Sequence, residues 1–203
     1  MIRRPERLKE TPSQTAGPYV HIGCTPNFCG IGGVYPEDLG TTLITGDAKG
    51  ERITVAGTVF DGTGTALKDA MVEVWQADSV GLYNAPEETR GAADPHFTGF
   101  ARRAGDYATG EWRFETVRPG AVPGPGGRMQ APHIAFWIVA RGINLGLHTR
   151  MYFPEDDLSA DPILARIEHQ VRVPTLVAKK EGPGLYRFDI RLQGEGETIF
   201  FDV

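Results

Sequence analysis

Several short runs of this chain alternate hydrophobic and polar residues with the two-residue period of a strand. The most informative is Ala131–Arg141, APHIAFWIVAR, in which His133, Ala135, Trp137, Val139 and Arg141 share one face and Ile134, Phe136, Ile138 and Ala140 the other. Apolar residues on both faces predict a central strand in a packed sheet rather than a solvated edge. Arg52–Phe60 and Ala70–Asp78 alternate in the same way, and the Asp61–Gly64 turn between them predicts a hairpin. In the second of these runs Glu73 and Gln76 lie among apolar neighbours and need hydrogen-bond partners wherever they are buried.

Gly110–Val117, Leu147–Phe153, Gly184–Leu192 and Thr198–Val203 continue the pattern and bring the total to about seven strands, the number of a β-sandwich. Only one segment reads as a helix: Asp161 can cap it, Pro162 suits its first turn, and Ile163 and Ile167 follow at helical spacing. The prediction is therefore a mainly β protein, an antiparallel β-sandwich with long ordered loops and one short helix. Ser79–Arg103 and the Gly- and Pro-rich Arg118–Arg128 read as loops. Thr11–Ile22, TPSQTAGPYVHI, reads as a stiff, turn-rich arm, and residues 23–50 as a long surface excursion. Residues 1–50 are thus expected to be an arm and excursion for subunit contacts and cavity lining, and 51–203 the sandwich.

Composition supports this picture. Among 203 residues, 40% are hydrophobic, enough for one sizeable core, and Gly 26 and Pro 15 are high for a helical protein. A net charge of −5 with no basic stripe argues against nucleic acid as a partner. No apolar run is long enough to span a membrane, and MIRRPERLKE lacks the apolar core of a signal peptide, so a cytoplasmic protein with no membrane partner is expected. In that compartment Cys24 and Cys29 are expected as reduced thiols rather than a disulfide or a zinc site.

Familiar catalytic motifs are missing: the chain has no GxSxG elbow, no HExxH, no dinucleotide fingerprint and no phosphate loop. The ordered series TPSQTAGPY, DG with VEVWQAD, RPG, APHI, RG with HTR and YF, and YRFDIRLQGEGET resembles the intradiol ring-cleaving dioxygenases over nearly the whole chain. It is most similar to the alpha chains of their heteromeric members. In the iron-bearing members two tyrosines and two histidines hold ferric iron, from an RPG-x-Y-P loop, an H-x-H pair and a loop tyrosine. Here Val122 stands at the first tyrosine position, Ala135 at the second histidine position, and Thr89 is the approximate match to the remaining tyrosine. Only His133 is retained.

Valine and alanine have no donor atoms, and one imidazole cannot hold ferric iron, so this chain alone is expected to bind no metal and to be inactive by itself. The resemblance implies that Fe(3+) is held by a partner beta subunit in an alpha–beta protomer, itself part of a higher oligomer. It also implies that this chain contributes Thr15, Gly17, Pro18, Tyr19 and Arg141 to a substrate cavity, with no catalytic residue of its own. The implied reaction is O2-dependent opening of protocatechuate to 3-carboxy-cis,cis-muconate. Arg141 lies eight residues from His133, about 26 Å along an extended strand, so it cannot serve a site at His133. A guanidinium suits the carboxylate of an aromatic acid, and a surface ion pair is its plainer role. The alternative for the whole chain is a sandwich that serves only as a binding or scaffolding module.

Overall fold

The computed structural model describes residues 16–144 and 146–202. Eleven strands follow in chain order: β1 (Arg52–Phe60), β2 (Met71–Trp75), β3 (Phe100–Ala104), β4 (Glu111–Val117), β5 (Val122–Pro123), β6 (Met129–Gln130), β7 (His133–Val139), β8 (Leu147–Tyr152), β9 (Lys179–Gly182), β10 (Leu185–Arg187) and β11 (Ile190–Arg191). One sheet has the antiparallel order β3-β2-β7-β8. In the other, β1 pairs antiparallel with β4 on one side and parallel with β10 and then β11 on the other, and β9 pairs with β10. β5 and β6 form a separate two-stranded ribbon.

The two main sheets close on a shared aromatic core. Trp112 of β4 lies 5.3 Å from Phe136 of β7, which lies 5.3 Å from Phe188 between β10 and β11. Ile134, Phe136, Ile138 and Ala140 are completely buried on the inner face of β7, as their alternation requires. β7 is central, with β2 and β8 as neighbours. Gly57 of β1 is set by this packing: a Cβ there would come within 1.9 Å of Phe188 O and 2.5 Å of the Trp112 ring. That close approach lets the Phe188 N–H donate to Ala56 O at 2.8 Å.

Several expectations need correction. β1 and β2 do not form a hairpin; the Asp61–Gly64 turn is present, with Gly64 N–H donating to Asp61 O, but it carries the chain from one sheet to the other. The 79–103 segment ends in β3, an edge strand whose alternation is obscured by adjacent Arg102 and Arg103. The Arg118–Arg128 loop contains β5. Gly184–Leu192 breaks into β10 and β11, and the described residues 198–202 form no strand, only a bridge from Phe201 to His148.

The expected helix after Asp161 is reduced to a 3-10 turn, Leu164–Arg166, followed by a second at Gln170–Leu176. Asp161 does cap it: its Oδ1 accepts from the Ile163 and Leu164 N–H groups at 2.7 and 3.0 Å. Its Oδ2 also accepts from Ala131 N–H at 2.8 Å, which ties the turn to the entrance of β7. Among the described residues the arm runs into one helical turn, α1 (Val20–Cys24). The excursion is pinned onto the sandwich, with Arg103 donating to the carbonyls of Gly40 and Thr41 and Arg102 to that of Cys24. Gln76 and Glu73 find partners as required. Gln76 donates to Val117 O and accepts from the Thr116 hydroxyl, and Glu73 pairs with Arg102 at 2.6 Å.

Candidate functional site

The outer face of β7 carries a different chemistry at each end. At its entrance His133 is 6% exposed and its Nδ1–H donates to Ala131 O at 2.8 Å, the only arrangement a carbonyl acceptor permits. Burial, reinforced by the positive charge of Arg150, lowers the pKa of this imidazole to about 4. Opposite it in the ladder is Tyr152, with ring centroids 5.6 Å apart. The Tyr152 hydroxyl is buried without a hydrogen-bond partner, and burial together with the charge of Asp161 pushes its pKa up to about 12.

The positions expected to be emptied of ligands converge on Arg150. Ala135 is paired with Arg150 across β7 and β8, and Val122 is paired with Gln130 across the small ribbon. Arg150 Nη1 donates to Gln130 Oε1 at 2.6 Å, which joins the two ladders. The third position, Thr89, is exposed in its loop, and Tyr83 from the same loop stacks on Trp75 at 5.9 Å. Trp75 is the ladder neighbour of Ala135 on its other side. Burial raises the Tyr83 pKa, opposed first by Arg150.

These residues do not fit ferric iron. Val122 is buried and Ala135 half-buried with no donor atom between them, His133 Nδ1 is engaged by a backbone carbonyl, and a guanidinium occupies the neighbouring ladder position. Among the described residues no group of three or more His, Cys, Asp or Glu side chains is placed to hold a metal. The alternation of Leu147–Tyr152 puts His148 and Arg150 on one face of β8, a pattern that by itself fits a partner-facing or a solvated surface equally well. The signal available was position: a long cation two residues before Tyr152, on the strand facing Ala135.

At the far end Arg141 lies just beyond the last residue of β7, with its side chain 61% exposed and Nε 3.2 Å from Asp69 Oδ2. The arm comes to the same place: Ala16 N–H donates to Ile143 O at 3.3 Å. Gly17, Pro18 and Tyr19 come directly after, all exposed, Tyr19 at 75%. Thr15 lies outside the described residues. Four of the five expected cavity residues therefore sit around one corner of the fold, well away from His133.

A family model described as Dioxygenase matches residues 25–194. The chain belongs to this dioxygenase family. It is 46% identical to the protocatechuate 3,4-dioxygenase alpha chain of Pseudomonas putida, over 97% of this chain and 98% of that one. Identity to the corresponding alpha chain of Burkholderia cepacia is 40%, with the same shares covered. The Burkholderia cepacia beta chain is 38% identical, over 80% of this chain and 76% of its own. Among solved structures, the fold is similar to an intradiol ring-cleavage dioxygenase from Tetranychus urticae, with a TM-score of 0.57 at 20% identity, covering 78% of this chain and 89% of that one. No helix among the described residues is long and apolar enough to cross a membrane.

Proposed function

We propose that this chain is the alpha subunit of a protocatechuate 3,4-dioxygenase, in which ferric iron is held by a beta subunit and this chain walls the substrate cavity. The observation that carries the reading is the division of β7: its entrance offers His133 but no donor at Ala135 or Val122, while the arm and Arg141 come together at its exit, where Ala16 bonds to Ile143. Gly17, Pro18 and Tyr19 would form a backbone-rich wall, together with Thr15, and Arg141 would face the substrate carboxylate. Asp69 holds Arg141 in place through Nε, and its own Oδ1 is buried without a hydrogen-bond partner. In a cavity closed by the partner, a guanidinium offsets the carboxylate charge far better than in water.

The overall reaction adds both atoms of O2 to protocatechuate and gives 3-carboxy-cis,cis-muconate, so no external reductant is consumed. This chain's share is to bind and orient the aromatic acid and to exclude water. The excursion supports a partner-covered face: Phe28, Ile31, Val34, Tyr35 and Leu39 are all exposed large apolar side chains within a dozen residues.

Co-expression with an iron-bearing beta chain and an oxygen-uptake assay on protocatechuate tests the reading. Arg141→Ala should raise KM about tenfold or more, the scale of one charge-assisted contact, and leave assembly intact. Unchanged kinetics would remove Arg141 from the cavity. Stoichiometric iron in the chain expressed alone would overturn the subunit assignment.

A further inference from the structure

Arg150 also lines a cavity of about 470 Å³ that the dioxygenase reading leaves unused, within the size range of small-molecule sites. Ile163, Ile167, Ile199 and Phe201 supply apolar walls, and Arg166 and Arg172 add two more guanidinium groups. Of the five N–H donors of Arg150, one is given to the neutral amide of Gln130, and Phe201 lies under the guanidinium at 5.7 Å. Its Nε is buried and makes no hydrogen bond, and the same holds for Nδ1 of the adjacent His148.

No carboxylate among the described residues pairs with Arg150. The buried Asp161 has both oxygens on backbone N–H groups, Glu197 pairs with Arg172 at 2.8 Å, and Glu168 and Asp202 are exposed lining residues. A half-buried cation left in this state retains most of its desolvation cost without a counter-charge. The cavity supplies the space for one.

We infer that this cavity is a second binding site, specific for a small organic acid whose carboxylate pairs with Arg150 and whose apolar body lies against Ile163, Ile167 and Phe201. The guanidinium fork suits a planar carboxylate, and the apolar walls select a hydrocarbon or aromatic acid over an inorganic anion. The site is independent of Arg141, which stands at the opposite end of β7, and it does not require the partner's iron.

Equilibrium dialysis of the full chain with radiolabelled benzoate tests this, with inorganic phosphate as competitor. Saturable binding of one benzoate per chain is expected, weakened at least tenfold by Arg150→Gln, partly retained by Arg150→Lys and unaffected by Arg141→Ala. Ile167→Trp, which fills the cavity and leaves Arg150 in place, should abolish binding and guards against misfolding of the Arg150 variants. Benzoate binding of unchanged strength in both Arg150→Gln and Ile167→Trp, or no saturable binding to the unmodified chain, would overturn the site. Displacement by phosphate at equal concentration would overturn the preference for an organic acid.

Discussion

His133 shows how one side chain can keep its place after losing its partners. Without a second histidine or a tyrosinate beside it, the ring is held neutral by burial and by Arg150, with a pKa lowered to about 4 against an ordinary value of 6.5. The unfolded chain therefore binds more protons than the folded one between those limits. The corresponding stability is fully present above about pH 6.5 and is lost as pH falls toward 4, a contribution of roughly 3 kcal/mol. Urea unfolding across this range should show a steep acid loss that flattens in His133→Gln; equal slopes in the two proteins would mean that His133 does not titrate as its burial dictates. The loss of donors at Val122 and Ala135 was legible in the sequence, because it depends only on which residues stand there. The role of Arg150 was not, because it depends on ladder register, and the same residue one position along would point into the core.

At the level of elements, the alternation of β7 and β1 was readable because each has one face packed against the opposing sheet, and packing writes its period into the residues. The supposed hairpin failed for a reason local sequence does not contain. A tight turn such as Asp61–Gly64 says that the chain reverses, and tertiary packing decides whether the next strand joins the same sheet or crosses to the other. The segment after Asp161 failed differently: cap and spacing were right, but Asp161 also anchors Ala131, and Pro174, which has no N–H to donate to an α-helical ladder, lies inside the second 3-10 turn, Gln170–Leu176. Gly57 makes the crossing sheets measurable. Gly57→Ala places a methyl group against Phe188 O and Trp112, so destabilisation of about 1–3 kcal/mol is expected from chemical denaturation. A neutral result would mean that the Phe188 backbone can withdraw without loosening the core.

For the whole molecule, sandwich class and subunit character were legible, since the spacing of strands and the series of motifs extend over most of the chain. The meeting of arm and Arg141 was implied by the resemblance alone, because a backbone hydrogen bond between residues far apart in sequence, such as that from Ala16 to Ile143, leaves no mark on residue identity. The parallel seam in the otherwise antiparallel sandwich has a consequence in time. Thr54 of β1 takes Leu185 of β10 as its neighbour, and 185 − 54 = 131 residues of chain must be synthesised between the two. At about 5–20 residues per second a ribosome needs roughly 7–26 s to deliver that second partner. Throughout that interval one edge of β1 stays unpaired in the nascent chain, even after β4 has covered the other. Pulse proteolysis of stalled nascent chains should accordingly show protection of the β1 region rising sharply only once residues 185–191 have left the exit tunnel.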